Sequence, residues 1–546
     1  MASAADTHDI LNQSPPITGL NLFTGDPGLG ALVEGVPHAV DDELVQFGAQ
    51  WGAAETFELG RIANAYPPVL KTHDATGVRI DAIEYHPALH ALARRSVAAG
   101  LSCSVWDAGG QEASVRAVAR AARLYMATQV EAGHLDMMSM TSAAVAALGH
   151  APMLADRWLP LVRSRRYDPS NKPLTEKAGL TIGMGLAEKQ GGSDLATTTT
   201  RAEEAGDRMW RLTGHKWFLS APNSDAFMVL ARTTDGPSCF LMPRVLTDGS
   251  RNGMMLMRLK DKLGNRSIAT AEAEFDDAAA WLIGESGDGM ATIADMVSLT
   301  RLDAAVSSAG LVRMALAEAV HHSRQRRAFG QTLFDHPLMT RVLADMALDA
   351  VAAAALAFRL AEAFDRAEDD PAEAAFARLM TPAVKYWVTK IAPGVIAEAM
   401  ECLGGNGYVE ESRLPRIYRA APANTLWEGP GNVVALDVMR VLRRSSEPLE
   451  VVLANVEDAL GGTAKSTLNV LRAATAVALA DEGAARILTE QLAMTVAAAA
   501  LRRRFPSVVA DAFLETRLGK PWRTTYGMLD SRFDSRAFLN YLCPED

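Results

Sequence analysis

The sequence feature that most constrains the fold is a change of periodicity between Leu180 and Gly284. Within this stretch, short runs of β-forming residues alternate with Gly, Asp, Asn and Pro, which is the pattern of strands joined by turns. On both sides of it, apolar residues recur three and four positions apart, the spacing that places them on one face of a helix. The sequence therefore predicts a mainly α-helical protein with a compact β domain in the middle of the chain.

The limits of this pattern divide the chain into four predicted domains. They are an N-terminal helical domain over 1–179, a central β domain over 180–285, a helical bundle domain over 286–445 and a further C-terminal helical domain over 446–546. We interpret the stretch SSEPLE after Arg444 as the linker before the last domain. The third long bundle helix is expected to end at Gly404-Gly405, because glycine is preferred just past a helix C-terminus.

Composition and charge exclude several classes of protein. The chain has 546 residues, of which 49% are hydrophobic and 22% charged, as expected of a globular protein with several domains. Its net charge of −11 argues that the chain as a whole does not bind a polyanion. This net charge is still compatible with a local basic patch. Four widely spaced cysteines argue against a disulfide scaffold and a zinc site, so we expect no metal.

The sequence also favours a cytoplasmic protein that does not span a membrane. Its first residues, MASAADTHDILNQSPPITGLN, contain no apolar signal-peptide core. The richest apolar stretch, MALDAVAAAALAFRLAEAF, is interrupted by Asp349 and Arg359.

Two stretches in the β region have residues suited to a planar ligand. In MGLAEKQGGSD, Met184 to Asp194, glycines allow close backbone approach and Ser193 offers a hydroxyl, but neither GxGxxG nor a P-loop lysine is present. In GHKWFLSAPNSDA, Phe218 and Ser220 are two apart on a predicted strand and therefore face the same side. An ordinary glycine turn, and a core Phe beside a surface Ser, are the alternatives.

Two further stretches lie in the predicted bundle. RQRRAFG, Arg324 to Gly330, clusters cations at a helix end; they are either solvated there or arranged for a pyrophosphate. LGGNGY is followed after a short interval by TLWEGPGNVV, in which Glu428 stands beside an indole and before a Gly-Pro-Gly turn. Apolar surroundings would raise the pKa of this carboxyl and suit it to act as a base, whereas the alternative is a helix-start Glu favoured by the helix dipole.

Taken in chain order, these motifs resemble those of the acyl-CoA dehydrogenase family of flavoproteins over roughly residues 50–445. The matching features are the Gly-Gly-Ser-Asp turn, Arg301 with Gly310, Arg326-x-x-Phe329-Gly330, Gly-Gly-x-Gly-Tyr and Trp-Glu-Gly. The resemblance implies the family fold, with an N-terminal helical domain, a small β-barrel domain and a four-helix bundle, here followed by an extra C-terminal helical domain.

The same resemblance implies FAD as the cofactor and assigns roles to individual residues. Glu428 is implied to be the catalytic base, Arg301 to lie near the CoA portion of the substrate, and Trp427 to narrow the acyl pocket. Arg326 is implied to contact the FAD pyrophosphate across a subunit interface. The implied cofactor-binding residues are Met184, Gly185, Leu186, Ala187, Ser193, Phe218, Leu219, Ser220, Arg326, Phe329, Gly404, Gly405, Trp427, Gly429 and Asn432.

Stretches such as EKQGGSD, KDKLGNRS and NQSPPITGLNLF resemble one branch of the family, the alkylation-response (adaptive-response) branch. This likeness implies a homotetramer built as a dimer of dimers, and weak α,β-dehydrogenation of an acyl-CoA similar to isovaleryl-CoA. A flavin oxidase or nitroalkane-oxidising relative is disfavoured, because that chemistry typically prefers Asp at the position of Glu428.

The branch also implies an alternative function, which is binding of double-stranded DNA by the C-terminal domain to protect it from alkylation damage, with a structural or detoxifying flavin. From Ser445 to Asp546 there are thirteen acidic and eleven basic residues, a balance that does not favour duplex binding. The candidate DNA-contacting residues are Arg440, Arg443, Arg444, Arg502, Arg503 and Arg504. Ordinary solvated helix charges are the competing interpretation.

Overall fold

A computed structural model describes residues 9–107, 109, 113–206, 208–519 and 533–544. The N-terminal region contains α1 Pro27–Leu32, α2 His38–Gly52, α3 Ala54–Ala65, β1 Val69–His73, β2 Arg79–Glu84, α4 Pro87–Ala98, α5 Arg116–Val130, α6 Leu135–Leu148 and α7 Pro152–Val162. The central strands are β3 Ile182–Gly185, β4 Arg201–Glu204, β5 Met209–Ser220, β6 Ala226–Arg232, β7 Pro237–Pro243, β8 Met254–Leu259 and β9 Thr270–Ile283.

The chain then returns to helices for most of its remaining length. These elements are α8 Gly289–Gln325, β10 Arg327–Ala328, β11 Gln331–Thr332, α9 Pro337–Arg366, α10 Pro371–Cys402, α11 Leu414–Leu426, α12 Gly431–Arg444, α13 Glu447–Leu460, α14 Ala464–Ala480, α15 Ala485–Arg504, α16 Ser507–Phe513 and α17 Ser535–Leu542. The predicted fold class, mainly α-helical with a central β domain, is confirmed.

The central strands close into a small barrel. Strand β6 pairs with β7, β7 with β9, β9 with β5, β5 with β3, and β3 runs parallel to β6 and completes the ring. Its interior is filled by alternating apolar side chains, among them Leu212, Phe227 and Phe240. Strand β6 is buried along nearly its whole length because a second apolar layer, from α6 and α7, covers its other face.

The bundle is built from three long helices, α8, α9 and α10, which pack against one another. The left-handed residue Gly404 (φ +61°) follows α10, as the sequence predicted for the end of that helix. Helix α15 packs on α9 and α10, and its buried residues share one apolar core with the bundle. The extra C-terminal helices therefore extend the bundle core and do not form a separate one.

Two expectations from the sequence need correction. The N-terminal region is not only helical, because β1 and β2 form an antiparallel hairpin whose turn is closed by hydrogen bonds to Asp74. The predicted linker is shorter than SSEPLE, because α13 already begins at Glu447. One described segment, Glu482–Arg504, is long and apolar enough to cross a membrane, but 78% of its apolar window is buried, as in a core helix.

Candidate active site

Glu428 lies in the sharp turn between α11 and α12. Its backbone adopts a left-handed conformation with φ +55°, which is unfavourable for a residue with a side chain. The next residue, Gly429, has φ +105°, and a Cβ there would lie 2.9 Å from Val433. The Gly-Pro-Gly sequence thus allows α12 to start immediately after the carboxylate, and this reversal fixes the position of Glu428.

Two buried cations hold this turn by its carbonyl groups. Arg301 of α8 donates from Nε to the carbonyl of Glu428 at 3.0 Å, and its Nη1 pairs with Asp437 of α12 at 2.6 Å. Lys385 of α10 donates from Nζ to the carbonyls of Thr425 at 3.0 Å and of Gly429 at 2.6 Å. A strained backbone conformation such as that of Glu428 persists only where surrounding contacts hold it in place. The hydrogen bonds from Arg301 and Lys385 are contacts of this kind.

Burial raises the pKa of Glu428 to about 7, although the nearby cations Arg301 and Lys385 and a hydrogen bond with Thr300 act in the opposite direction. Burial also lowers the pKa of Lys385 to about 7, and the neighbouring Arg301 adds to this effect. A carboxyl group with such a pKa is ionised in part of the molecules at neutral pH and is a stronger base than a solvated glutamate.

Glu428 and Trp427 line a cavity of about 470 Å³, part of which opens to solvent. The other walls come from the start of α6, from α8 and α11, and from Asn265 ahead of β9. A second cavity of about 350 Å³ lies next to it, and both are lined by Ser139 and Asp303. The site thus places a base in the wall of a cavity that is partly open to solvent.

Strand register brings together several of the predicted cofactor residues. Met184 of β3 pairs with Ser220 of β5, and Gly185 pairs with Leu219. The ring of Phe218 is 48% exposed and lies on the same side of the strand as Ser220, as the sequence predicted. Leu219 is different, because its side chain is fully buried in the barrel and only its backbone remains for a ligand.

The following turn, Leu186 to Ser193, is stabilised by one of its own residues, a buried glutamate whose role was not predicted from the sequence. Glu188 is buried and accepts hydrogen bonds from Lys216 Nζ at 2.6 Å, from the Thr200 hydroxyl at 2.6 Å and from the Thr199 backbone N–H at 2.7 Å. The backbone N–H of Trp217 donates to the carbonyl of Ala187 at 2.8 Å. A Glu-x-x-Gly-Gly turn beside a Gly-x-Lys strand was the available signal for this pair.

A separate group contains the predicted pyrophosphate residues. Arg326 donates from Nη1 to the carbonyl of Asn12, and the neighbouring Gln13 accepts a hydrogen bond from Asn406. The ring of Phe329 is 96% exposed at the tip of the β10–β11 hairpin. A Cβ on Gly404 or Gly405 would meet nothing within 4 Å, so the backbone there is open to a ligand.

Other predicted site residues have different surroundings. Arg301 is not among the residues that line the cavity; it is buried behind the turn, where it donates to the carbonyl of Glu428. Ser193 and Asn432 are exposed. Lys385 and Asp437 were missed, since a lysine and an aspartate within helices carry no local sequence signal of such a role.

Five of the six candidate DNA-contacting arginines form ion pairs with acidic side chains. Their partners are Asp437 for Arg440, Glu482 for Arg443, Asp511 for Arg502, Asp458 for Arg503 and Glu362 for Arg504. Arg444 is exposed and has no ion pair among the residues that the structure describes. These partners reduce the positive charge that the arginines could offer to phosphates.

The chemistry of these groups fits FAD. An exposed aromatic ring next to a hydroxyl, Phe218 and Ser220, suits the face and edge of a flat heterocycle. An arginine and an open glycine backbone, Arg326 and Gly404-Gly405, suit a pyrophosphate.

Comparison with known proteins gives matches along most of the chain. Residues 12–169 match the adaptive response protein AidB N-terminal domain, residues 183–278 the acyl-CoA dehydrogenase middle domain, and residues 287–443 the acyl-CoA dehydrogenase C-terminal domain. The chain is 47% identical to the putative acyl-CoA dehydrogenase AidB of Escherichia coli, over 81% of each chain.

Solved structures agree with these matches. Caenorhabditis elegans ACDH-11, solved in complex with C11-CoA, has a TM-score of 0.85 at 28% identity, covering 100% of this chain and 94% of that one. A Mycobacterium smegmatis glutaryl-CoA dehydrogenase, solved with FADH2, shares the fold with a TM-score of 0.55 at 20% identity, covering 65% of this chain and 86% of that one. FAD is the cofactor of this family. The chain belongs to the acyl-CoA dehydrogenase family, with an N-terminal domain of the adaptive-response AidB type.

Proposed function

We propose that this protein is an FAD-dependent dehydrogenase that introduces a double bond between the α- and β-carbons of an acyl-CoA. The observation that carries the proposal is Glu428, a carboxyl group with a raised pKa in the wall of a cavity. The comparisons support the reaction class, because the bundle and the barrel both match acyl-CoA dehydrogenase domains.

In this reaction Glu428 takes the α-proton of the thioester. The electron pair of the broken C–H bond forms the new carbon–carbon double bond as hydride leaves the β-carbon. When bound, FAD supplies the acceptor for that hydride. A thioester α-proton is weakly acidic, so the raised pKa of Glu428 and its fixed position are what the chain contributes to removing it.

The positioning residues of the reaction are Arg301 and Lys385. Neither lines the cavity, and both act on the carbonyl groups of the turn that carries Glu428. Their positive charge also limits the rise of the Glu428 pKa, which would otherwise leave the base protonated at neutral pH. FAD is proposed to lie against Phe218 and Ser220, with its pyrophosphate near Arg326 and Gly404-Gly405.

The acyl group is proposed to be short or branched, similar to isovaleryl. The indole of Trp427 takes up part of the cavity wall next to the base, which supports a restricted pocket. We also propose assembly into homotetramers. The exposed side chains of Phe329 and Tyr408, 96% and 80% exposed, are candidate contacts for such an interface.

The proposal is tested by adding a panel of acyl-CoAs to the purified holoenzyme without oxygen and following the visible flavin absorption. We expect bleaching by at least one short or branched acyl-CoA. Glu428→Gln should retain FAD and lose bleaching, whereas Glu203→Gln, an exposed glutamate of β4, should bleach as the wild type does. Purification without flavin, or unchanged bleaching in Glu428→Gln, would contradict the proposal.

DNA protection stays the alternative function, and its support is weaker. The N-terminal match to an adaptive-response domain favours it, but the ion pairs of the candidate arginines do not. Salt-dependent duplex binding by the purified protein, together with absence of flavin bleaching, would favour this alternative.

A further inference from the structure

The wall of the cavity that contains the base also has a second carboxylate, which the proposed reaction does not use. Asp136 and Ser139 stand three apart at the start of α6, so they face the same side of the helix and line the cavity with Glu428. Asp136 is only 4% exposed, and its Oδ2 has no hydrogen-bond partner in the part of the chain that the structure describes. A buried acceptor without a partner costs about 1–3 kcal/mol, which a ligand that donates a hydrogen bond would recover.

A second buried acceptor of the same cavity also lacks a donor. The Oδ1 atom of Asn265 has no hydrogen-bond partner among the residues that the structure describes. Two acceptors of the cavity wall, Asp136 Oδ2 and Asn265 Oδ1, are therefore unfilled. A purely hydrocarbon acyl group would leave these acceptors unsatisfied, whereas a group with O–H or N–H bonds would satisfy them.

No cation that the structure describes donates a hydrogen bond to Asp136. The third acid of the wall, Asp303, is fully engaged with Arg120, whose two Nη atoms lie 2.5 and 2.8 Å from its oxygens. Lys262 interacts electrostatically with Asp136 but donates its hydrogen bond to Thr270 at 3.2 Å. Burial raises the pKa of Asp136 to about 6, so the carboxyl group is mainly ionised at neutral pH and has an unfilled acceptor for a ligand that donates a hydrogen bond.

The Arg120–Asp303 pair also limits the length of the group that fits. Asp303 borders both cavities and Arg120 borders the second one, so an extended alkyl chain would have to run past a buried ion pair. Contact between hydrocarbon and desolvated charges is unfavourable. These surroundings favour a short polar acyl group over a long apolar one.

We propose that Asp136 is a specificity-determining residue that selects short acyl groups carrying a hydrogen-bond donor, either a hydroxyl or an ammonium group. This inference rests on the proposed dehydrogenation. Such a donor contacts the Asp136 carboxylate while the α-carbon lies at Glu428. A carboxylate stabilised only by the N-terminus of α6, with no part in ligand binding, is the competing explanation.

Two matched pairs of probes test the selection. The first pair is γ-hydroxybutyryl-CoA and pentanoyl-CoA, and the second is β-alanyl-CoA and butyryl-CoA. In the second member of each pair, a methyl group replaces the hydroxyl or ammonium group that donates the hydrogen bond. Dissociation constants for the holoenzyme are measured by titration calorimetry, alongside anaerobic flavin bleaching. We expect the donor-bearing member of each pair to bind about tenfold more tightly, since hydrogen bonds to charged groups have energies of this order.

Variants of Asp136 separate the explanations. Asp136→Leu should remove the preference in both pairs, and Asp136→Asn should keep part of the preference for the hydroxyl but lose that for the ammonium. The control, Asp156→Asn on the exposed face of α7, should leave both ratios unchanged.

Three results would each overturn the proposed selection of donor-bearing acyl groups. The first is equal affinity for both members of each pair in the wild type, and the second is a ratio of dissociation constants that Asp136→Leu leaves unchanged. The third is tighter binding of undecanoyl-CoA than of γ-hydroxybutyryl-CoA. Selective binding without bleaching by any probe would instead overturn the proposed dehydrogenation and leave the role of Asp136 supported. The two failures are therefore distinguishable.

Discussion

Glu428 has the protonation behaviour that most directly affects the proposed activity. Burial raises its pKa to about 7, and only the ionised form can accept the α-proton. We expect kcat/KM for a responsive acyl-CoA to fall about tenfold for each pH unit below about 7 and to level off above it. Steady-state rates across pH 5 to about 9 measure this, and a profile that is flat through neutral pH would contradict the role of Glu428.

The same shift has a consequence for stability. Because the folded-state pKa of Glu428 is higher than its ordinary value of 4.5, the folded protein binds more protons than the unfolded chain between these values, and its stability falls as the pH rises through about 7. Glu428→Gln removes this cost. We expect the variant to gain about 3 kcal/mol in free energy of unfolding at pH 8 and nothing near pH 4, as measured in urea. Equal gains at both pH values would contradict the assigned pKa.

Lys385 is expected to control the base through the backbone. Lys385→Met leaves the carbonyls of Thr425 and Gly429 without their donor and removes a positive charge near Glu428. We expect kcat to fall about tenfold to a hundredfold and the acidic limb of the pH profile to move to higher pH. Lys465→Met, at an exposed position of α14, should produce neither change. A lower kcat with an unmoved acidic limb would indicate a purely structural role.

Among the secondary-structure elements, the turn after β3 depends on one buried ion pair. Glu188→Gln leaves Lys216 as a buried cation without its counterion. Removing one partner of such a pair costs about 3–5 kcal/mol, so we expect a loss of that order in the free energy of unfolding. Because its hydrogen bonds and Lys216 hold the pKa of Glu188 well below its ordinary value, the contribution of this group is lost as the pH falls.

Urea denaturation of Glu188→Gln at pH 7 measures this loss, with Glu203→Gln on the neighbouring strand as the exposed control. We also expect weaker FAD retention, because the turn carries predicted cofactor residues. A variant as stable as the control would show that the pair contributes no net stability.

At the scale of elements, much of the fold was predictable from local patterns. The run MWRLTGHKWFLS coincides with β5, and the three long apolar repeats correspond to α8, α9 and α10, because periodicity extended over many residues is a strong signal. The β1–β2 hairpin was missed since it is a short interruption within a helical region. The roles of Lys385 and Asp136 could not be predicted, as each depends on what tertiary packing places opposite one helical residue.

At the scale of the whole molecule, the site is a product of domain packing. The base comes from the turn between α11 and α12, Asp136 from the N-terminal region, and Asn265 from the segment ahead of β9. The motifs around Glu428 were recognisable one at a time, but the cavity exists only where these three regions meet. Substrate selection therefore depends on residues that no single motif contains.

The C-terminal helices lead to a prediction about DNA. Because Arg502, Arg503 and Arg504 each pair with an acidic side chain, a phosphate must displace a carboxylate to bind them. We expect duplex DNA to bind with a dissociation constant no tighter than about 10 μM at physiological salt, in the range of non-specific binding. The logarithm of the binding constant should fall with the logarithm of salt with a slope of magnitude about 2 or less, since each phosphate contact contributes about 0.9.

Fluorescence anisotropy of a labelled duplex, titrated with protein at several salt concentrations, measures both quantities. Arg503→Ala should change them little, because its guanidinium already has Asp458 as a partner, and Asp458→Asn should strengthen binding by releasing that guanidinium. Submicromolar binding at physiological salt that Arg503→Ala weakens would contradict this expectation. It would mean that assembly of several chains gathers enough cations to displace the carboxylates, and it would make DNA protection the better description of this protein.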